Sequence, residues 1–112
     1  MTMTIEEIEA MLEEVGIPFN YYQFAAGVVD LPYGVYWFPN SNNFGADNIV
    51  YSTIGRLEVE LYTSDKDISL ERKIEKILEG RELFWQKYEG YIKSEDMYGV
   101  VYGMEVILDE KK

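Results

Sequence analysis

The carboxylates are the side chains with the clearest capacity for chemistry, and one short segment places several of them close together. Asp65 and Asp67 flank Lys66, and Glu71 follows four residues after Asp67. Alternating oxygen ligands suit a hard cation such as calcium. A calcium loop also needs a central glycine and an acidic residue at a fixed end position, and this segment fits neither requirement. Capping of the N-terminus of a following helix explains these residues better, so we predict no metal site.

The chain lacks two of the side chains that enzymes most often use for catalysis. The chain has no cysteine and no histidine, which excludes thiol nucleophiles, disulfides and thiolate zinc sites. It also excludes imidazole, the side chain that most often serves as a general base near neutral pH. The glycines do not have the spacing of a phosphate-binding loop. Paired carboxylates remain available, but nothing marks one pair as special. The sequence therefore predicts no enzyme and no cofactor.

The charge balance limits the partners. Ten basic residues against 21 acidic residues give a net charge of −11. Nucleic-acid binding depends on Lys and Arg neutralising phosphates, so we expect contact neither with nucleic acid nor with an anionic membrane surface. Three interpretations of the acidity remain open: solubility, a basic partner surface, and imitation of DNA. A DNA mimic needs carboxylates spaced like phosphates, whereas the acids here cluster in the first predicted helix and otherwise mix with Lys and Arg.

Length and hydropathy predict one folded domain. The 112 residues are 47% hydrophobic and 15% aromatic, and a single core supports about 100–150 residues. We expect this domain to span residues 1–112, with residues 108–112 frayed. No apolar run approaches the roughly 18 residues that cross a bilayer. The N-terminal segment lacks the basic and apolar regions of a secretory signal, so an intracellular protein is expected.

Two segments have the three- and four-residue hydrophobic spacing of amphipathic helices. The first begins with a capping box formed by Thr4 and Glu7 and ends before Gly16. The second begins near Asp67 or Ser69 and ends at about Gly80. Their apolar stripes consist of Ile5, Ile8, Leu12 and Val15 in the first helix and Leu70, Ile74, Ile77 and Leu78 in the second.

Aromatic and β-branched residues outside the helices indicate strands. Strands are predicted over residues 35–38, 48–53, 56–62, 83–88 and 97–107, with a short extended piece over 19–24 and a polar loop that begins at Asn40. Leu57, Val59 and Leu61 alternate with polar residues, so they should form the inner face of the sheet beneath the second helix. The order α-β-β-β-α-β-β predicts an α+β fold, with an antiparallel or mixed sheet and both helices packed on one face.

Several segments resemble small phage and prophage proteins of Gram-positive hosts. The matching segments are Leu31-Pro32-Tyr33-Gly34-Val35-Tyr36, Asn43 to Asn48, Leu57 to Thr63, the helix from Asp67 to Leu78, and the final strand from Tyr98 to Glu105. The resemblance covers residues 31–107 and rests on a pattern of elements rather than on catalytic residues. The proteins that it resembles are the tail completion proteins of long-tailed phages, which act as tail terminators or head–tail joining proteins.

This resemblance implies a structural protein at the head-proximal end of a phage tail. Its subunits would form a homo-oligomeric ring by a heterologous contact that repeats until it closes. The implied partners are tail-tube and head-connector proteins. The implied location is the cytoplasm of the bacterial host during assembly and then the virion tail. The alternative function, from a different class, is an acidic inhibitor that mimics DNA and occupies a basic nucleic-acid-binding protein.

The predicted partner-binding residues lie in the loop from Asn40 to Asn48, and they are Asn43, Phe44, Asp47 and Asn48. The loop is rich in turn formers, yet Phe44 stands in its middle. This aromatic side chain either fills a gap in its own core or inserts into a neighbouring subunit, because a few buried aromatic residues supply most interface energy. Asp47 and Asn48 would fix the loop by side-chain-to-backbone hydrogen bonds.

Overall fold

A computed structural model describes residues 2–22, 30–46 and 49–108, with backbone pairing alone for residues 40–46 and 49–54. This part of the chain forms two α-helices and a six-stranded sheet. A short 3-10 turn, Lys93–Glu95, joins the last two strands. In chain order the elements are β1 (Thr2–Met3), α1 (Ile5–Glu13), β2 (Phe19–Tyr21), β3 (Tyr33–Ala46), β4 (Ile49–Thr63), α2 (Ile68–Gly80), β5 (Trp85–Ile92) and β6 (Met97–Leu108).

The sheet is mixed, and β6 lies at the centre of its pairing. One side of β6 pairs with β4, and the other side pairs with β5 along residues 97–104 and with β1 at residues 107–108. On the far side of β4 follow β3 and then β2. The β1–β6 and β2–β3 pairs are parallel, and the others are antiparallel. The predicted α+β class is confirmed.

Local hydrogen bonds fix the start of each helix as the sequence predicts. The Thr4 hydroxyl accepts a hydrogen bond from the Glu7 N–H at 3.1 Å, and the Glu7 carboxylate accepts one from the Thr4 N–H at 2.8 Å. The Asp67 carboxylate accepts a hydrogen bond from the Leu70 N–H at 3.0 Å. These bonds satisfy N–H groups that have no partner within the helix. Asp67 is therefore a helix cap, which confirms the interpretation preferred over a calcium loop.

One face of the sheet, here called the inner face, carries the core. Leu57, Val59 and Leu61 are at most 1% exposed, which confirms their predicted burial. They form one buried cluster with side chains of both helices. Two inner-face tyrosines also reach the helices, because the Tyr36 hydroxyl donates to Glu9 of α1 and the Tyr102 hydroxyl donates to Glu75 of α2. The remaining members of the cluster include Ile8, Met11, Leu12, Ile74, Leu78, Val100 and Met104.

The short strand β2 depends on a close approach at Gly34. Phe19 pairs with Gly34, and its ring lies over the glycine and packs against the core cluster. A Cβ atom at position 34 would stand 2.1 Å from the Cε1 atom of Phe19, far closer than two carbon atoms can approach. Glycine is required here by space, since its backbone φ angle is not positive.

The predicted loop after Asn40 is wrong. Asn40–Phe44 pair in unbroken register with Ser52–Arg56, and pairing continues to Ala46. The separate strands predicted over 48–53 and 56–62 are one strand, β4. Asn and Ser favour turns when considered locally, but hydrogen bonding to a neighbouring strand outweighs this preference. The register shifts between Trp37 and Asn40 and again between Phe44 and Gly45, so β-bulges accommodate the irregular sequence.

Three predicted boundaries also change. Leu108, expected to fray, pairs with both Met3 and Thr53 and is 8% exposed, because the parallel strand β1 covers its open side. β5 runs over Trp85–Ile92 rather than 83–88. The extended piece predicted over 19–24 is strand only over Phe19–Tyr21. Residues 23–24 and 109–112 lie outside the described residues.

Candidate functional site

The predicted partner-binding segment lies at the end of the β3–β4 hairpin. The last described residue of β6, Leu108, pairs with Thr53, so in the described part of the chain β4 residues 49–52 have only β3 beside them. Asn43 pairs with Thr53, and Phe44 pairs with Ser52. We call residues 43–46 and 49–53 the hairpin arm.

The structure places two of the four predicted residues on the hairpin arm. Asn43 and Phe44 are adjacent in β3, and their backbones pair with Thr53 and Ser52 of β4. Asp47 and Asn48 lie outside the described residues. Phe44 pairs with Ser52, one residue beyond the pair of Thr53 with Leu108, the last described residue of β6. Whether Phe44 fills a gap in its own core or inserts into a neighbouring subunit stays a prediction.

The densest group of ionisable side chains lies elsewhere, on the inner face beneath α2. The Lys66 Nζ atom lies 2.8 and 3.0 Å from the two carboxylate oxygens of Glu71 and also bonds Glu89. The Lys87 Nζ atom lies 2.7 Å from Glu71 and 2.9 Å from Glu75. We call these residues, together with two tyrosines that donate hydrogen bonds to Glu75 and Glu89, the polar network: Lys66, Glu71, Glu75, Lys87, Glu89, Tyr98 and Tyr102.

Electrostatics within the polar network oppose acid–base chemistry near neutral pH. Hydrogen bonds to Glu71 and Glu89 raise the pKa of Lys66. Burial tends to lower the pKa of Lys87, but hydrogen bonds to Glu71 and Glu75 outweigh this effect, so the pKa of Lys87 is raised as well. Neither amine is therefore available as a free base or nucleophile. Burial tends to raise the pKa of Glu75. Hydrogen bonds from Lys87 and Tyr102 outweigh burial and lower this pKa, so the Glu75 carboxyl is ionised at neutral pH.

The polar network therefore acts as a structural tie between α2 and the sheet. Glu71 is 2% exposed and is balanced by a lysine from the preceding loop and a lysine from β5. A buried carboxylate is tolerated when it is paired and hydrogen-bonded. Among the described residues, no group of three or more carboxylates is placed to hold a metal ion.

An exposed aromatic residue that sequence analysis did not single out follows α2. Phe84 is 89% exposed, whereas the preceding Leu83 is 2% exposed. The Leu83 N–H donates to the Leu78 carbonyl at 3.0 Å, and Glu82 has φ 58°. Glycine usually occupies this left-handed position after a helix. The turn at Glu82 buries Leu83 and exposes Phe84 to solvent. The turn could not be predicted from the local sequence, because a glutamate occupies the position where glycine is usual.

In the part of the chain that the structure describes, the outer sides of the end strands β1, β2 and β5 are unpaired, and so is one side of β3 from residue 40 onward. β5 pairs with β6 in unbroken register over its whole length, and no described strand lies on its other side. β2 pairs with β3 only at residues 34–36, so β3 residues 40–46 have β4 as their one described neighbour. These edges lie on opposite sides of the sheet. Sequence analysis did not predict them, because strand order is a non-local property.

Comparison with models of known protein families finds no match to this chain, and comparison with curated proteins finds none. The helices in residues 2–22, 30–46 and 49–108 are too short or too polar to cross a membrane. Within the described residues, the features that bear on function are therefore the hairpin arm, the open edges of β3 and β5, and a polar network whose charges pair with one another.

Proposed function

We propose that this protein is a structural subunit of a phage or prophage tail, acting at its head-proximal end as a tail terminator or head–tail joining protein. The observation that supports the proposal is that, among the described residues, the β5 edge and the β3 edge on opposite sides of one sheet have no strand beside them, with the hairpin arm at the β3 edge. A subunit with two different contact surfaces can repeat a heterologous contact until a ring closes. The sequence resemblance over residues 31–107 supplies the biological setting.

The chemistry of the molecule supports a role in assembly rather than catalysis. The most concentrated group of ionisable residues is occupied by its own ion pairs, whereas large aromatic side chains are exposed at Phe84, Tyr88 and Tyr91. Aromatic residues are enriched at protein–protein contacts. The proposed partners are further copies of this chain, tail-tube subunits and head-connector proteins, first in the host cytoplasm and then in the virion tail.

The alternative of an acidic inhibitor that mimics DNA has weaker support. A mimic must present unpaired carboxylates in a phosphate-like row, but many acids here have basic neighbours. Glu14 lies 2.7 Å from Arg81, Glu58 pairs with Arg56, and three further glutamates belong to the polar network. The remaining exposed acids of α1 belong to a single helix of nine residues, a short surface for imitating a duplex.

Polymerisation of tail-tube subunits from the same phage, with and without this protein, tests the proposal. A terminator should shorten the tubes and add a ring at one end, as seen by negative-stain microscopy. A matched variant replaces residues 44–52 with an Asn-Gly turn, which favours a tight hairpin, and it should fold yet fail to cap tubes. Unchanged tube lengths together with bare tube ends would contradict the terminator role. Binding to connector rings instead of tubes would identify the joining role.

A further inference from the structure

The solvent-facing side of α2 carries a stripe of exposed side chains. Ile68, Arg72 and Glu79 follow one another at separations of four and seven residues, so they lie on the same side of the helix. All three are exposed, and Ile68, a large apolar residue, is 57% exposed. We call these three residues the α2 stripe. It has an apolar residue at its N-terminal end, a cation after it and a carboxylate near the C-terminal end of the helix.

A depression adjoins the C-terminal end of the α2 stripe. Its volume is about 340 Å³, and it is lined by Glu79 and by residues that follow the helix, Glu82, Leu83, Phe84 and Trp85. Leu83 and Trp85 pack on the core, whereas Phe84 is 89% exposed. The walls are therefore apolar, and two carboxylates lie at the rim. Exposed apolar surface with a polar rim marks a contact site, and this rim favours a partner that brings an apolar side chain beside a cation.

The charges at both ends of α2 are available to such a partner. Among the described residues, Arg72 and Lys76 form no ion pair, and neither do Glu79 and Glu82. Glu79 lies near the end of α2, and the last turn of this helix contains no basic residue. A helix dipole favours cations rather than anions at that end, so the carboxylate of Glu79 is not compensated within its own turn. A cation from another molecule would compensate it.

A second copy of this chain presents the required combination of an apolar side chain and a cation. In an antiparallel pair of α2 helices centred midway between Arg72 and Glu79, each Arg72 faces the Glu79 of the other copy. The same alignment brings Ile68 to the C-terminal end of the opposite helix, where the depression beside Phe84 lies. A parallel pair in register would instead set each charge against a like charge. The α2 stripe is therefore complementary to itself when the two helices are antiparallel.

We propose that α2 packs antiparallel against α2 of a second copy, with Ile68 of each copy in the depression beside Phe84 of the other. A two-fold axis then forms the apolar contact and the Arg72–Glu79 pair twice. Exposed ion pairs contribute little stability, so burial of Ile68 and Phe84 supplies most of the affinity, and the order of charges fixes the direction and register. This inference goes beyond the proposed function and does not depend on it, because a two-fold contact closes with two copies.

Reversal of the charges at each end of α2 tests this contact. One variant, Glu79→Lys/Glu82→Lys, reverses the acidic end, and another, Arg72→Glu/Lys76→Glu, reverses the basic end. Light scattering over a range of protein concentrations measures the dimer, and circular dichroism measures the fold. Each variant alone should have a dimer dissociation constant at least about tenfold larger than the wild-type protein, because like charges then oppose each other. An equimolar mixture of the two variants should restore the dimer, since opposite charges face each other at both ends.

Removal of the exposed ring should weaken the dimer without loss of the fold. Phe84→Ala takes away one wall of the depression, and its ring is too exposed to support the core. Tyr88→Ala is the matched control, because Tyr88 is also exposed but follows Lys87, which points to α2, and so lies on the other face of β5. Lys93→Glu, in the turn after β5, controls for the change in net charge. Both controls should dimerise like the wild-type protein.

A wild-type protein that stays monomeric at every concentration would overturn the proposal. Binding of a synthetic helical peptide with the Ile, Arg and Lys spacing of residues 68–76 would then assign the depression to a basic segment of another protein. A dimer that survives both charge reversals would place the contact on another surface, and so would two monomeric variants whose mixture fails to dimerise. Restoration of an oligomer larger than a dimer would replace the two-fold contact with a heterologous one.

Discussion

A single strand, β4, passes through two different environments. Comparing its two parts distinguishes residues that stabilise the fold from residues that are available for contacts with other molecules. Its residues 58–62 pair with β3 on one side and β6 on the other, and Leu57, Val59 and Leu61 are buried in the core. Among the described residues, its residues 49–52 have only β3 beside them. Local stability follows the number of buried apolar contacts and protected hydrogen bonds. The body of the sheet therefore sets the unfolding free energy, and the hairpin arm can serve contacts with other molecules.

The polar network strengthens this contrast. It lies on the body side, where Glu71 ties α2 to β5 and to the loop before the helix. Ion pairs there are satisfied within the chain, whereas the backbone edge of β3 beside the arm has no described partner. A region with all its polar groups paired resists change, and a region with open hydrogen-bonding groups invites association. The following changes test this division.

The same substitution at two places in β4 should have very different effects. Val59→Asp puts an unpaired carboxylate into a site that is 0% exposed, so it should cost several kcal/mol, on the order of the whole stability of a domain. Val50→Asp lies on the arm opposite Gly45, beyond the part of β4 that pairs with described residues of β6, and should lower the unfolding free energy clearly less. Urea denaturation followed by circular dichroism measures both. Equal losses would abolish the distinction between body and arm.

Removing the central carboxylate of the polar network should have the next largest effect. Glu71→Gln removes the buried carboxylate that Lys66 and Lys87 share, at a cost of about 2 kcal/mol, below that of breaking a fully buried pair because each lysine keeps a second carboxylate partner. Glu89→Gln is the control, because Glu89 is more exposed and should cost clearly less. Chemical denaturation of both variants decides the matter. A loss at Glu71 no greater than at Glu89 would show that the network does not hold α2 to the sheet.

The turn that exposes Phe84 predicts a stabilising substitution. Glu82 has φ 58°, a left-handed conformation that costs a non-glycine residue roughly 1–2 kcal/mol. Glu82→Gly should therefore raise the unfolding free energy by about 0.5 kcal/mol, after the greater backbone entropy of glycine is subtracted. Glu79→Gly, within α2, should instead lower it by about 1 kcal/mol. Thermal melting of the two variants gives opposite shifts if the turn is strained and similar decreases if it is not.

The smallest expected effect is on the pH dependence of stability. The pKa of Glu75 is lowered on folding from its ordinary 4.5, so its stabilising contribution is present above pH 4.5 and is lost as the pH falls through the folded value. The pKa of Lys87 is raised from 10.5, so its contribution is present below pH 10.5 and is lost as the pH rises through the folded value. Melting temperatures across both ranges should show a flatter acid limb for Glu75→Gln. Parallel acid limbs would exclude Glu75 as a contributor.

Sequence analysis succeeded for features encoded within one segment. The capping box at Thr4, the cap at Asp67 and the alternation of Leu57, Val59 and Leu61 depend on spacings of a few residues. The polar network escaped prediction because Lys66, Glu71 and Lys87 come from three different elements. No pattern along the sequence predicts that these three side chains are in contact.

The hairpin arm shows how a local signal can mislead. Asn40, Ser41, Asn42 and Asn43 individually favour turns, and the predicted loop followed from them. In the structure their backbone groups pair with β4, and this non-local pairing outweighs the local preference. Of the predicted site, Asn43 and Phe44 lie in this strand pair, and their role in partner binding stays a prediction.

The contact between Phe19 and Gly34 has a consequence for how this protein can vary during evolution. The ring fills the space that a side chain at position 34 would need, so Gly34→Ala alone should displace Phe19 and release β2 from the sheet. A prior change of Phe19 to a smaller residue removes the collision at the cost of core packing. The two positions should therefore covary: in natural relatives, a side chain at position 34 should accompany a small residue at position 19.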